Sequence, residues 1–222
     1  MSNIVNELVQ DYIRNTLKDK EGLLKELEEY ASEHNVPIIH KEVSDFLKVL
    51  LKMQKPKRIL EVGCAIGYSS IFFATVLNKN VEIITVERNE KMIEKAKENI
   101  KRAGMEDNIT ILEGDAEELL KEVEGEFDMI FLDAAKGQYK LFYDMVIDKL
   151  KVDGLLISDN ILYKGMVAHD DFVIRRKKTI VKRMRNYLDY ICNCDYLSTS
   201  LIPIGDGVAL SYKNNKRGDI NE

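Results

Sequence analysis

The sequence predicts an α/β protein built on a doubly wound, mostly parallel sheet of seven strands, with an antiparallel hairpin at one edge. Short apolar runs alternate with longer amphipathic segments along most of the chain. A glycine turn joins the first apolar run to the next helical segment, and an acidic residue follows four of the first five runs. Ligands of open α/β sheets bind beyond the carboxyl ends of the strands, so these positions are the first candidates for a site.

Residues 1–56 are predicted to form a helical cap. Apolar side chains recur there at helical spacing in three stretches, and Pro56 closes the last of them. The sequence has no linker rich in glycine and serine after this point. We therefore expect one domain over residues 1–222, with its core at residues 57–213 and a frayed tail at residues 214–222.

The apolar runs predict the strands and the helices between them. The clearest helix covers Glu90–Ala103, with Asn89 as its N-cap and Gly104 as its stop. Leu197–Ile202 and Val208–Tyr212 flank a turn with proline and glycine, which predicts the edge hairpin. The five runs that predict buried parallel strands are Arg58–Val62, Val81–Val86, Ile109–Leu112, Phe127–Leu132 and Leu155–Ser158.

Composition narrows the class of protein. A formal net charge of −5 argues against binding nucleic acid over the whole surface, but it allows a local basic patch. The three cysteines lack the spacing of a disulfide framework or a zinc site, which fits a reducing compartment. Because the sequence has no signal pattern and no apolar run of about 18 residues, we expect a cytoplasmic protein without a membrane partner.

The glycine turn runs from Glu61 to Ser69 with the spacing Glu-x-Gly-x-x-x-Gly. This spacing differs from the Gly-x-Gly-x-x-Gly of folds that bind nicotinamide dinucleotides. Gly63 allows the backbone to approach a ligand beside a helix N-terminus. Ser69 can donate to a ligand carboxylate or cap its helix. Glu87, after the second predicted strand, can bind both hydroxyls of a ribose or serve as a solvated cap.

Polar residues also follow the third, fourth and fifth predicted strands. Asp115 can accept a hydrogen bond from an adenine amino group or cap the next helix. Asp133, Asp159 and Asn160 offer two carboxylates and an amide oxygen, which suit Mg²⁺, although a turn and a helix cap are the alternative. Lys136 beside a divalent cation can lose its proton and act as a general base, or it is a surface lysine.

These motifs occur in one order along nearly the whole chain. They are Glu61-x-Gly63-x-x-x-Gly67-Tyr68-Ser69, Glu87-Arg88, Gly114-Asp115-Ala116, Asp133-Ala134-Ala135-Lys136, Ser158-Asp159-Asn160 and Gly205-Asp206-Gly207. The set resembles the metal-dependent O-methyltransferases of the catechol and caffeoyl-coenzyme A type. Further segments are Glu33-His34-x-Val36-Pro37-Ile38 and Ile202-Pro203-x-Gly205-Asp206-Gly207. With these, the chain is most similar to the bacterial tRNA 5-hydroxyuridine methyltransferases.

The resemblance implies a Rossmann-like enzyme that uses S-adenosylmethionine to methylate the 5-hydroxyl of the wobble uridine in tRNA, giving 5-methoxyuridine. It implies a divalent cation, Mg²⁺ or another such as Mn²⁺, on Asp133, Asp159 and Asn160. It also implies catalytic roles for Lys136 and Asp133, and a homodimer. The implied cofactor contacts are Ile39, Gly63, Ser69, Glu87, Asp115, Ala116 and Asp133.

A basic segment between Lys164 and Tyr187 fits a tRNA substrate. Eight basic residues there meet two acidic ones, Asp170 and Asp171, for a net charge of +6. One helical face is predicted to carry Arg175, Lys178, Lys182 and Arg185, and the opposite face to carry Ile180, Val181, Met184, Leu188 and Ile191. The expected contacts to the anticodon loop are Lys164, Arg175, Arg176, Lys177, Lys178 and Lys182. The alternative is a solvated amphipathic helix.

Three other functions are compatible with parts of the sequence. A small catechol-like or phenolic substrate would keep the same chemistry. A nicotinamide-dependent oxidoreductase would also use Glu87, but the turn spacing disfavours it. A non-catalytic module would keep the cofactor fold without needing Lys136. Tyr68 and Tyr139 can stack on an extruded base, or they pack in the core.

Overall fold

The computed structural model describes residues 4–215. It confirms the predicted fold class: seven strands form one sheet in the order β3-β2-β1-β4-β5-β7-β6, with helices alongside. From residue 216 onward, the predicted tail lies outside the described residues. The chain divides into two compact units, residues 11–122 and residues 4–10 together with 123–215.

The unit of residues 11–122 contains the first three strands, which are all parallel. Leu60 pairs with Ile84, and Ile84 with Thr110, so the carboxyl ends of these strands reach the same edge. Its strands are β1 (Arg58–Val62), β2 (Glu82–Glu87) and β3 (Ile109–Glu113). Its helices are α1 (Glu7–Thr16, which begins in the other unit), α2 (Gly22–His34), α3 (Lys41–Gln54), α4 (Tyr68–Val76), α5 (Glu90–Ala103) and α6 (Ala116–Glu122).

The unit that contains residues 123–215 holds the other four strands. β4 and β5 are parallel, whereas β7 runs antiparallel to both β5 and β6, which confirms the predicted edge hairpin. The strands are β4 (Phe127–Leu132), β5 (Leu150–Ser158), β6 (Leu197–Ile202) and β7 (Val208–Lys213). The helices are α7 (Tyr139–Val146) and α8 (Lys178–Cys192), with short 3-10 turns at Ile147–Lys149, Asp170–Phe172 and Arg175–Lys177.

Local signals in the sequence explain helix α5, whose predicted bounds the structure reproduces. The side chain of Asn89 accepts a hydrogen bond from the backbone N–H of Met92 at 3.3 Å, and Gly104 takes the left-handed conformation at the C-terminus. Ile93 and Ile100 lie on the buried face of the helix. The charged residues take the opposite face, as expected for an amphipathic surface helix.

Strand β5 begins at Leu150, five residues before the predicted start. The pairing with β4 shifts register between Phe127 and Met129, because Phe127 pairs with Leu150 whereas Met129 pairs with Leu155. Asp153 has a φ of +64°, and Gly154 follows it. The predicted strand started only after these two residues, whereas the observed strand continues through them.

The described helices include none that is long and apolar enough to span a bilayer.

Candidate active site

The glycine turn after β1 has a backbone that suits close approach of a ligand. Gly63 and Gly67 have φ values of +94° and +81°, and Ala65 between them has a φ of +45°. The N–H of Gly63 donates to the carbonyl oxygen of Val86 at 2.9 Å, and that of Gly67 donates to the carbonyl oxygen of Cys64 at 2.7 Å. The turn is therefore tied both to itself and to strand β2.

Asn99 holds the same turn from helix α5, and sequence reasoning missed it. This side chain is fully buried, and its amide nitrogen donates to the carbonyl oxygen of Ile66 at 2.9 Å. A buried amide is costly unless it is hydrogen-bonded, so the bond fixes the turn against the helix. The available signal was an asparagine on the apolar face of α5, directly before Ile100.

Glu87 does more than cap the next helix. Its Oε2 accepts from the backbone N–H of Ala65 at 3.0 Å, and its Oε1 accepts from the N–H groups of Arg88 and Asn89, each at 2.9 Å. A carboxylate has about four acceptor positions, so Glu87 can still accept a hydrogen bond from a ligand hydroxyl. Each of its oxygens can accept from more than one donor. The arrangement fits a ribose as a ligand and fixes the carboxylate in place.

The other predicted cofactor residues in this unit have local roles. Asp115 caps helix α6, because its Oδ1 accepts from the N–H of Glu117 at 2.8 Å. The guanidinium of Arg88 lies 3.5 Å from the other oxygen of Asp115. Ala116 begins α6, and Ile39 is buried just before α3. Their contacts with a cofactor remain predictions.

Ser69 uses its hydroxyl inside the protein. It donates to Oε1 of Glu61 at 2.5 Å, and Ser70 donates to the other oxygen of the same carboxyl group. Glu61 is fully buried on β1, and this burial raises the pKa of its carboxyl group, although the hydrogen bonds from both serines oppose the shift. Ser69 can therefore contact a ligand only through its remaining lone pairs or after rotation.

Asp133 and Asp159 follow neighbouring strands of the other unit. Leu132 of β4 pairs with Ser158 of β5 in parallel register, so the next residue of each strand leaves the sheet at the same edge. The N–H of Asp159 donates to the carbonyl oxygen of Leu132 at 3.0 Å, and its Oδ1 accepts from the N–H of Asn160 at 2.7 Å. This pairing brings the two predicted metal-binding carboxylates to one place.

Tyr139 is buried beside the residues that follow β4 and β5. Its hydroxyl donates to the carbonyl oxygen of Asp159 at 2.7 Å. Burial raises the pKa of Tyr139 well above its ordinary value, and the negative charges of Asp133, Asp159 and Asp206 raise it further. The Tyr139 side chain is 1% exposed and packs against Tyr187 at a centroid distance of 5.6 Å. Its role is therefore packing and not base stacking, and Tyr68, also 1% exposed, is equally buried.

The donor set fits a hard divalent cation. Asp159 is fully buried, and a carboxylate so placed needs hydrogen bonds or a cation to offset its lost hydration. Within residues 4–215, no cluster of three or more His, Cys, Asp or Glu side chains is placed to bind a metal. A cation here would therefore take Asn160 as its third protein ligand and oxygens of water or substrate for the rest.

Lys136 lies in the turn between β4 and α7 and is held from two sides. Its ammonium nitrogen is 3.3 Å from Oδ2 of Asp206 and 5.2 Å from the centre of the Tyr163 ring. Asp206 belongs to the turn between β6 and β7, which the sequence indicated as a hairpin connection and a family motif but without a role for Asp206. The acidic residue between two glycines was the signal that could have drawn attention to it.

The basic segment is largely exposed, with one correction to the prediction. Arg175 lies in a 3-10 turn, and α8 begins at Lys178, so Arg175 does not share the face of that helix. The guanidinium group of Arg185 already has partners within the protein. It donates to the carboxylate of Asp170 at 2.6 Å and to the carbonyl oxygen of Val167 at 2.9 Å. The exposed predicted contacts are Lys164, Arg175, Arg176, Lys178 and Lys182, whereas Lys177 is half-buried beside Tyr163. The buried face carries Val181, Met184, Tyr187, Leu188 and Ile191.

Comparison with known proteins decides the family. A family model described as O-methyltransferase matches residues 14–214. The chain belongs to this O-methyltransferase family. By family and fold, it is an S-adenosylmethionine-dependent methyltransferase of the caffeoyl-CoA and catechol type.

Individual relatives agree over nearly the whole length of this O-methyltransferase. A caffeoyl-CoA O-methyltransferase of Populus kitakamiensis is 30% identical over 224 residues, which cover 92% of this chain and 93% of the relative. A crystal structure of a proposed caffeoyl-CoA O-methyltransferase from Staphylococcus aureus has a TM-score of 0.88 and 36% identity, covering 94% and 100% of the two chains. An SAH-bound methyltransferase from Podospora anserina has a TM-score of 0.85 and 26% identity, covering 94% and 95%.

The buried carboxyl group of Glu61 gives the O-methyltransferase a testable pH dependence. The pKa of Glu61 is raised in the folded state above its ordinary value near 4.5, so the folded protein holds a proton that the unfolded chain releases. This contribution to stability is complete below the ordinary pKa and is lost as pH rises. The variant Glu61→Gln has no carboxyl group to titrate at this position. Its unfolding free energy, relative to that of the wild type, should therefore rise by up to about 1.4 kcal/mol for each pH unit above about 4.5.

Urea unfolding of both proteins at several pH values between about 4 and about 8 measures this difference. Exposed Glu124→Gln, in the loop before β4, is the matched control and should show no such trend. A constant difference between Glu61→Gln and the wild type across this range would contradict the raised pKa.

Proposed function

We propose that the protein transfers a methyl group from S-adenosylmethionine to 5-hydroxyuridine at the wobble position of tRNA, forming 5-methoxyuridine with the help of a divalent cation. The observation that carries the proposal is the pair Asp133 and Asp159 at the ends of two paired strands, with Asn160 beside them. The family supplies the reaction class. The cation and the substrate are parts of the proposal.

The cofactor would be bound largely by backbone and carboxylate groups. Glu87, fixed by three N–H groups, suits the two ribose hydroxyls. The open backbone at Gly63 suits close contact with the amino acid part, and Asp115 with the adenine, while Ile39 adds an apolar contact. The SAH-bound relative supports this class of ligand.

Asp133, Asp159 and Asn160 would hold the cation, Mg²⁺ or a similar ion such as Mn²⁺. When bound, the cation lowers the pKa of a coordinated hydroxyl and orients it. A 5-hydroxyuridine offers its 5-hydroxyl and the neighbouring O4 carbonyl oxygen, as two adjacent oxygens of a catechol would. The proposed methyl acceptors therefore share two neighbouring oxygen atoms.

Lys136 is the group that would accept the hydroxyl proton, after its own ammonium group has lost a proton to solvent beside the cation. It follows β4 by four residues, in the same turn as Asp133, and its side chain is one quarter exposed. Partial burial keeps the amine near the acidic cluster while leaving it a path to the substrate. Positioned proton transfer of this kind contributes about 10²- to 10⁴-fold to a rate.

The basic segment supports tRNA as the substrate. Arg175, Arg176 and Lys178 are exposed at the start of α8, and Phe172 and Ile174 immediately before them are 42% and 53% exposed. Basic side chains interleaved with exposed apolar ones are typical of surfaces that bind single-stranded RNA, where bases stack on aromatic rings and phosphates meet cations. An anticodon loop offers both groups.

A small catechol-like or phenolic acceptor is the second candidate. The Populus relative is named for caffeoyl-CoA and matches 92% of this chain, which favours such a substrate. The chemistry would be the same, because a catechol also presents two neighbouring oxygens. The two candidates differ in whether the basic segment is needed.

We also propose that the protein forms a homodimer. Helix α1 exposes Leu8, Val9, Tyr12 and Ile13, with 40–79% of each side chain accessible. Contiguous apolar side chains on a surface helix commonly mark a protein contact.

The metal ligands can be tested with Asp159→Ala and the isosteric Asp159→Asn. Both should lower methyl transfer by at least about 100-fold, because loss of a ligand exceeds the effect of an outer-shell change. Calorimetry should show S-adenosylmethionine binding little changed, and chelation should inhibit the wild type. Exposed Asp148→Ala is the control. Full turnover by Asp159→Asn in chelated buffer would overturn the metal role.

The tRNA surface can be tested with the triple variant Arg175→Gln, Arg176→Gln, Lys178→Gln. We expect weaker tRNA binding and a plot of log affinity against log salt whose slope falls by about 1 for each phosphate that the variant no longer neutralises. Methylation of a small catechol should be spared. A triple variant of equal charge change, at Lys48, Lys52 and Lys55 on α3 and its end, should behave as the wild type. Equal effects of both triple variants would argue against this surface.

The substrate itself can be identified in cells that lack the gene. Mass spectrometry of their tRNA nucleosides should show 5-methoxyuridine lost and 5-hydroxyuridine accumulated. Expression of the wild type should restore the modification, and the Asp159→Asn variant should not. Unchanged 5-methoxyuridine would reject the tRNA substrate and leave the phenolic candidate.

A further inference from the structure

We propose that Asp206 is a positioning residue for Lys136 and that, through it, the turn between β6 and β7 sets the geometry of methyl transfer. The inference rests on the proposed role of Lys136 as the group that accepts the hydroxyl proton. It assigns a function to the Gly205-Asp206-Gly207 turn, whose aspartate lies 70 residues from Lys136 in the sequence.

The first observation is the direct contact. Oδ2 of Asp206 accepts a hydrogen bond from the ammonium group of Lys136 at 3.3 Å. The side chains of Asp206 and Lys136 are only 14% and 25% exposed, so water screens the pair less than it screens a surface ion pair. The face of the Tyr163 ring also contacts the ammonium group, which lies 5.2 Å from the ring centre. Lys136 is therefore directed by one carboxylate and one ring.

The second observation is that Asp206 also anchors the residues that carry the ring. Its Oδ1 accepts from the N–H of Lys164, and its carbonyl oxygen accepts from the N–H of Leu162 at 2.9 Å. Tyr163, between those two residues, has a φ of +47°. Such backbone conformations persist only where surrounding contacts enforce them. One aspartate therefore contacts Lys136 directly and also fixes the backbone on both sides of Tyr163.

The third observation is how tightly the turn sits on this segment. Gly207 has a φ of +86°, and a Cβ atom there would come within 2.4 Å of Cγ of Leu162. Its carbonyl oxygen accepts from the N–H of Ile161 at 3.0 Å. A side chain at position 207 would have to displace Leu162, so the turn packs closely against this segment, and packing as well as hydrogen bonds positions Asp206.

The fourth observation is the place of Lys136 in the chain. Lys136 follows Asp133 by three residues in the turn after β4, and Asp159 follows the paired strand β5. Asp206 therefore holds an amine that belongs to the same turn as one of the proposed cation ligands.

The experiment compares Asp206→Asn and Asp206→Glu with Asp144→Asn. Asparagine keeps an oxygen for the N–H of Lys164 but removes the charge that holds Lys136, and glutamate restores the charge. Asp144 is the matched control, because it forms an exposed pair with Lys140 at 2.6 Å on helix α7 of the same unit. All variants are compared as full-length protein, with thermal denaturation to confirm folding.

The first measurement is limited acetylation of lysines, read by mass spectrometry, which needs neither substrate nor metal. Asp206→Asn should raise the acetylation rate of Lys136 and leave that of Lys140 unchanged, because a released amine reacts faster. Asp144→Asn should do the reverse, and Asp206→Glu should return Lys136 toward the wild-type rate. An unchanged rate at Lys136 in a folded Asp206→Asn variant would overturn the inference.

The second measurement is steady-state methylation of tRNA carrying 5-hydroxyuridine and, separately, of catechol. Asp206→Asn should lower kcat by about 10- to 100-fold, the cost of misplacing a reacting group by about 1 Å. KM for the acceptor should stay near the wild-type value, and Asp206→Glu should recover part of kcat. A wild-type kcat in Asp206→Asn would refute the positioning role. If the wild type methylates neither acceptor, the proposed function fails, and the acetylation rates still decide whether Asp206 holds Lys136.

Discussion

Leu132 of β4 and Ser158 of β5 lie side by side in a parallel ladder, and the position of the acidic residues Asp133 and Asp159 depends on that pairing. Both strands are buried along their apolar residues, so a slip by one residue would move every side chain to the opposite face of the sheet and disrupt its packing. The packing energy of the core therefore fixes the register, and the register places Asp133 and Asp159 together. Two carboxylates that repel each other are held at one edge of the sheet by contacts in which they take no part.

Backbone N–H groups hold two other carboxylates in place, those of Glu87 and Asp206. Glu87 accepts three of them around the glycine turn, and Asp206 accepts that of Lys164 while it also receives Lys136. A carboxylate bound by fixed N–H groups needs little reorganisation when a ligand arrives, and this is the property that favours tight and directional binding. In each unit, one acidic side chain thus joins separate segments of the chain at the carboxyl ends of the strands.

Local sequence signals were sufficient to predict helices and strands, but not the contacts that join them. The bounds of β1, β4, β6 and α5 followed from apolar runs, caps and glycine stops, all of which act within a few residues. The contact of Asn99 with Ile66 and that of Asp206 with Lys136 were not predicted, because these partners lie 33 and 70 residues away, at distances where periodicity carries no information. The early start of β5 was missed for the same reason, since only the pairing of Leu150 with Phe127 of β4 shows that the strand begins before Asp153.

Under the proposed function, the chemistry and the choice of substrate belong to different parts of the chain. The cation ligands and Lys136 follow strands β4 and β5, whose register the core fixes, so they tolerate little change. The basic segment lies on the surface. Arg185 ties α8 to Val167 and Asp170, and the exposed cations of the segment do not pack in the core. Substitutions there alter surface charge at small cost in stability. Under that proposal, the same catalytic unit would serve a catechol or a modified uridine, and the exposed residues before and at the start of α8 would decide between them.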